Sequence, residues 1–201
     1  TKSGSPRDTQ RQKVYDWERD VIESRSAGDR DRSLAELGHL IQKAYLRYGF
    51  TFDPKTQLRD GRGRKSACFD YAAGGSIKLP LWARSHWVAL HEAAHGINWL
   101  KHNKDHTKFA GHGPEFVRIY IDLVSHFMNV ADAATLRQSA VTAGIKVATA
   151  TSVAPPKKSL IAKHDKLHLE VATLDEQIRQ LTAKRRELAQ QLAQIKKEMR
   201  Q

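Results

Sequence analysis

The sequence predicts an α+β domain followed by a long C-terminal helix, and three observations predict it. Apolar residues recur at helical spacing in segments on either side of a short central stretch. That stretch, from Phe50 to Leu79, breaks into brief apolar runs punctuated by glycine and proline, and a heptad repeat runs from Leu160 to Met199. The chain has 201 residues, enough for one domain with its own core plus an appendage. Its composition, 40% hydrophobic and 28% charged, is ordinary for a globular protein. No apolar run approaches the roughly 18 residues a membrane-spanning helix needs, so no membrane is expected. Residues 1–6 are polar, lack the apolar centre of a secretory signal, and are expected to form a tail outside the fold. Cys68 is the single cysteine, which excludes an internal disulfide framework and a thiolate-rich metal site. Imidazole and carboxylate remain as metal ligands, and a cytoplasmic setting is the expectation.

The elements follow in order. Over 9–22, Val14, Trp17 and Val21 mark a helix; Ser33 with Glu36 reads as the capping box of a second, which Gly49 should end. Pro54, the Gly61-Arg62-Gly63-Arg64 run and Gly74-Gly75 then cut the chain as hairpins do, with strands expected at 66–71 and Ser76–Leu79. Ser85 caps a helix carrying Trp87, Val88, Leu90, Ala94, Ile97 and Leu100 as far as about His102, and a polar loop runs on to Gly113. Pro114 suits the first position of another helix reaching Met128. Residues 131–145 read as a shorter one and 147–158 as a linker, which gives a domain over 7–146 and an arm over 159–201.

Within the capped helix, His91-Glu92-Ala93-Ala94-His95 sets two imidazoles one turn apart on one face, close enough to share a metal ion. A helix face offering two ligands must borrow a third from elsewhere and leave a position for water, whose proton Glu92 can accept as general base. This is the pattern of a zinc-dependent hydrolase, and hydrolysis of peptide bonds in a protein substrate is the expected reaction. For the third ligand, His102 lies too far along the helix axis, and a metzincin spacing would fall on Lys101, an ammonium. His112, between Gly111 and Gly113 and just before the Pro114 helix, is favoured; Glu115 and His106 remain alternatives.

HEAAH followed by the histidine of Gly111-His112-Gly113-Pro114-Glu115-Phe116 resembles the SprT-like zinc metallopeptidases. A closer likeness is to small metallohydrolase-like proteins of actinobacteria and their phages, through Arg7-Asp8-Thr9-Gln10-Arg11 with Val14-Tyr15, and Ile77-Lys78-Leu79-Pro80 with Trp82-Ala83-Arg84. The resemblance covers roughly residues 7–125. It implies a minimal zincin fold, His91, His95 and His112 as zinc ligands, Glu92 as base, and Ser76–Leu79 as a rim strand beside the cleft where an extended substrate could add by strand pairing. The gap carrying His102 and His106, and the basic C-terminal region, depart from that pattern.

Trp82, Trp87 and Trp99 are expected in the core rather than in a substrate pocket. Tyr71, Tyr120 and His106 are candidates for stabilising an oxyanion; His39 and His126 are expected to be structural. The net charge of +12 is uneven, with +5 over 61–112 and +5 over 157–201, so contact with nucleic acid through a basic surface is a candidate property. Gly61-Arg62-Gly63-Arg64-Lys65 could touch phosphates, although a solvated hairpin tip is favoured. In the arm, Leu160, Leu167, Leu174, Leu181, Leu188 and Ile195 fall every seven residues, with Val171, Ile178, Leu192 and Met199 among the companion positions. That seam predicts a coiled coil and a homodimer; a helix folded back on the domain is the alternative. The rival to an enzyme is a DNA-associated or phage assembly protein with a structural zinc site, and a zinc hydrolase of RNA phosphodiesters fits less well. Glu92 separates them, because a structural site has no use for a carboxylate beside a metal-activated water.

Overall fold

The computed structural model describes residues 6–149, 177–187 and 190–191. The chain falls into two units, Thr1–Pro156 and Lys157–Gln201. The first is α+β and mostly helical, with one three-stranded sheet. Its helices are α1 (Arg11–Trp17), α2 (Leu34–Arg47), the single turn α3 (Pro54–Gln57), α4 (His86–Lys101), α5 (Pro114–Phe127) and α6 (Ala133–Thr142); its strands are β1 (Leu58–Asp60), β2 (Cys68–Asp70) and β3 (Ser76–Leu79). None of the helices among the described residues is long and apolar enough to cross a membrane.

Caps set the helix starts. Ser33 Oγ accepts from the Glu36 amide at 3.1 Å, Ser85 Oγ from the Val88 amide at 3.4 Å, and Asp132 from the amides of Ala134 and Thr135, each satisfying donors that a first turn leaves unpaired. The first helix departs from expectation. After Trp17 the α-helical ladder widens into a π-helical turn, Glu18–Ile22, and then tightens into a 3₁₀ turn, Glu23–Arg25. The widened turn begins at Glu18, a carboxylate only 2% exposed.

The sheet differs more. Its order is β1-β3-β2, with β1 parallel to β3 and β2 antiparallel to it. Ser76–Leu79 is therefore the central strand and not the rim: its Ile77 and Leu79 are fully buried, and both its edges are already paired. The strand at the edge beside α4 is β2. β1 went unforeseen because Leu58-Arg59-Asp60 carries one apolar residue and shows no alternation. Since β1 and β2 each pair with β3 and not with one another, Gly61 to Lys65 is not a hairpin tip; it lies on the connection from β1 to β2, with Gly61 buried and Arg62 to Lys65 exposed.

Helix α4 forms the centre, packed against α2, α5 and the strands β2 and β3. The approach is close at Gly96, where a Cβ would lie 1.7 Å from Tyr45 Oη and 2.8 Å from a Phe69 ring carbon. Trp99 is buried and Trp87 half-buried against the core, but Trp82 is 65% exposed on a 3₁₀ turn, Leu81–Ala83, so the expectation that it fills the core fails. The start of the expected linker is tied down: the Ala148 amide donates to Pro114 at 3.0 Å, and Arg137 donates to the Ala148 carbonyl at 3.0 Å. Residues 177–187 are helical, with Ile178 and Leu181 60% and 67% exposed; the remaining heptad positions, apart from Arg185, lie outside the described residues.

Candidate metal centre

His91 and His95 project from the buried face of α4, and His112 enters from the turn before α5. All three are under 10% exposed. Nε2 of His91 lies 3.1 Å from Nε2 of His95 and 3.3 Å from Nε2 of His112, and one ligand atom from each residue falls within 4.8 Å of the others. Two nitrogens on a tetrahedral zinc at 2.0–2.1 Å stand about 3.3–3.4 Å apart, so the two short separations match such a site. These three side chains can hold a metal ion.

Outer partners orient the rings. Glu18 meets His91 Nδ1 at 2.5 Å, and Asp8 meets His112 Nδ1 at 2.7 Å while also accepting the His112 amide at 3.2 Å. A carboxylate on Nδ1 fixes the proton there and turns the Nε2 lone pair toward the shared point. Phe116 stacks on His95 with 4.3 Å between ring centroids, and Tyr15 packs edge-on to His112 at 4.9 Å. Gln10 secures the turn: its Nε2 donates to the carbonyls of His112 at 2.7 Å and Lys146 at 3.1 Å, and its Oε1 accepts from the Lys146 amide. His95 Nδ1 and the side-chain amide of Asn98, one turn on, are buried with no hydrogen-bond partner among the described residues.

Burial pushes His95 well below the usual imidazole range and His112 down to about 4. Burial acts the same way on His91, but the Glu18 carboxylate outweighs it and the net direction is upward. His95 and His112 are thus favoured in the neutral, ligating form, and at His91 the Glu18 carboxylate accepts the proton of Nδ1 in a hydrogen bond, on the nitrogen that faces away from the shared point. Glu92 is 6% exposed; burial raises its carboxyl to about 7, against the pull of His91 and of a hydrogen bond from the Phe69 amide on edge strand β2. The sheet therefore holds the carboxylate that the helix supplies.

One cleft borders His91 and Glu92, and a second lies along β2. The first, of about 330 Å³, is lined by Arg11, Tyr15, Trp82, Trp87, His91 and Glu92. The other, of about 510 Å³, runs along β2 past Phe69, Tyr71, Trp99 and His106. A larger groove of about 970 Å³ between α1 and α6 is lined by no histidine or glutamate.

None of the remaining candidates joins the cluster of three imidazoles, although the Tyr120 ring lies 5.5 Å from that of His91. Glu115 is held by Lys101 and by Arg118 at 2.8 and 2.9 Å. His106 sits in an exposed 3₁₀ turn, 5.7 Å from the Tyr71 ring. His102 Nδ1 turns back to the Asn98 carbonyl at 2.8 Å. His39 lies within α2, and His126 is exposed in the last turn of α5 against Phe127. Tyr120 is fully buried beside Glu18, and Tyr71 is half-buried in the β2 cleft.

Sequence reasoning missed Asp8, Glu18, Gln10 and Tyr15 as parts of the site. Asp8, Gln10 and Tyr15 stand in or beside the Arg7-Asp8-Thr9-Gln10-Arg11 string, which carried a signal without a role; Glu18 had none. No family model matches the chain, and neither curated proteins nor solved structures give a match, so its chemistry rests on these residues themselves.

Proposed function

We propose that residues 7–146 form a zinc-dependent peptidase with His91, His95 and His112 as ligands and Glu92 as general base. The observation that carries the reading is Glu92, a buried carboxyl poised near neutrality beside three converging imidazoles and open to a cleft. Imidazole nitrogens in this number and spacing suit zinc better than a hard, oxygen-seeking cation. When bound, zinc supplies Lewis acidity that acidifies water and polarises a carbonyl.

The protein's own residues do the rest. Glu92 takes a proton from the attacking water as its oxygen bonds to the peptide carbon, and the carbonyl π pair moves onto oxygen. As the C–N bond breaks, Glu92 returns the proton to the leaving nitrogen, so it ends as it began. Phe69 aims the carboxylate through its amide. The edge of β2 offers backbone to an extended peptide, in the role that β3, paired on both sides, does not fill. The HEAAH and Gly-His-Gly-Pro-Glu-Phe strings support placement with the SprT-like minimal zincins. The exposed Ile178 and Leu181 in a helical stretch support a coiled-coil arm that pairs two chains. A single cysteine suits a cytoplasmic protein.

Metal analysis and casein hydrolysis test this together. Wild type should carry about one zinc per chain and cleave casein, and Glu92→Gln should keep the metal and the fold while losing most turnover. A Glu92→Gln protein that cleaves at the wild-type rate would end the reading.

A further inference from the structure

We propose that Tyr15 is the oxyanion-stabilising residue of this site, its phenol donating a hydrogen bond to the substrate oxygen that gains charge as water adds. This rests on the peptidase reading above and gives the reaction a donor that Tyr71, Tyr120 and His106 do not supply.

Geometry sets Tyr15 apart from those three. Its ring touches two of the three ligands, edge-on to His112 at 4.9 Å and stacked near His91 at 5.8 Å between centroids. It is 36% exposed, and it lines the same 330 Å³ cleft as His91 and Glu92, so a substrate carbonyl brought to Glu92 passes the phenol. The Tyr120 ring also packs on His91, at 5.5 Å, but it is wholly buried and lines neither cleft, its hydroxyl donating to the Trp87 carbonyl at 3.4 Å. Tyr71 and His106 belong to the other cleft, packed on each other.

One turn before Tyr15 on α1 is Arg11, whose guanidinium lies 5.4 Å from the ring centroid at the cleft mouth. It places positive charge over the phenol ring, in the cleft where the substrate oxygen's charge would develop. A phenol is a hydrogen-bond donor at neutral pH, so the hydroxyl can donate to an oxygen brought into the cleft. A neutral peptide carbonyl gains little from such a donor. The charge that develops on its oxygen gains much more, and the interaction therefore accelerates the chemical step rather than tightening substrate binding.

The test compares zinc-loaded full-length wild type, Tyr15→Phe and Glu92→Gln. Phenylalanine keeps the ring against His91 and His112 and removes only the donor. Tyr15→Phe should hold zinc and thermal stability at wild-type levels, lower kcat on casein about 10²–10³-fold, and change KM little. Inorganic phosphate, a tetrahedral anion, serves as a probe that needs no turnover: by calorimetry its affinity should fall about tenfold or more in Tyr15→Phe. Unchanged kcat and phosphate affinity in Tyr15→Phe would overturn the proposal, and so would loss of zinc, which would make Tyr15 a packing residue of the ligand set. If wild type cleaves no casein yet binds phosphate through Tyr15, the anion-stabilising role stands and the peptidase reading falls. If Glu92→Gln is inactive and Tyr15→Phe is not, the peptidase reading stands and this one falls.

Discussion

At His91 and His112 the nitrogen facing away from the shared point ends on a carboxylate, and these contacts reach across 73 and 104 residues of sequence. Such partners raise the ligand's basicity and hold its ring in place, and losing one usually weakens metal binding 10–100-fold. Glu18→Gln and Asp8→Asn are therefore expected to lower zinc affinity by about that factor in a chelator competition. Asp16→Asn, a change at a half-exposed acid on the same helix, should leave it unchanged. Equal affinity in all four proteins would mean that the rings are positioned by packing alone. The ligands themselves were legible because their signals are local: one helical turn separates His91 from His95, and glycines flank His112 just before a proline. Glu18 was not, because it is one acid among 22 in an ordinary-looking helix and becomes a partner only through the π-helical widening and the return of α4 beside it.

Between elements, the clearest polar clamp joins α2 to α5. Asp122 accepts from Arg47 Nε and a terminal Arg47 nitrogen, both at 2.8 Å, and from the Tyr48 hydroxyl at 2.8 Å. Burial alone would raise the Asp122 carboxyl, but the hydrogen bonds from Arg47 and Tyr48 outweigh it and hold it below the ordinary value. A carboxyl depressed in the folded state contributes stability that is present above its unfolded pKa, about 4, and is lost as pH falls through the folded value. Asp122→Asn is accordingly expected to destabilise by about 1–2 kcal/mol at pH 7, a figure reduced for partial exposure. The deficit should shrink as pH falls below about 4, and thermal melts of both proteins across pH 2–7 would show it; a constant deficit would argue against the ionised clamp. Helix positions could be read from caps and apolar spacing, whereas sheet order could not. Three short strands give almost no alternation, and whether Ser76–Leu79 was centre or rim depended on β1, whose sequence carries no strand pattern.

On the scale of the whole chain, the basic C-terminal unit and the described domain call for different tests. Removing residues 157–201 should leave a folded, zinc-binding monomer in light scattering, because the core and all three candidate ligands lie in the first unit. Any salt-dependent DNA binding should weaken and its salt slope flatten, as +5 of the charge goes with the arm. A full-length protein that is already monomeric would remove the coiled-coil pairing, and a truncation that fails to fold would give the arm a part in the core. The Gln10 contacts carry a mechanical consequence. They fasten the segment entering the domain to Lys146, where the chain leaves it, and to the carbonyl of His112. Tension applied between residues 7 and 149 would load the Ala148 bonds to Pro114 and Arg137 together with this fastening and drag Asp8 from His112 while the hydrophobic interior is still intact, so pulling is expected to disable the centre before it unravels the domain. In a single-molecule stretching experiment, bound zinc should raise the force of the first rupture and leave later ones unchanged; a first rupture indifferent to zinc would show that the load runs elsewhere.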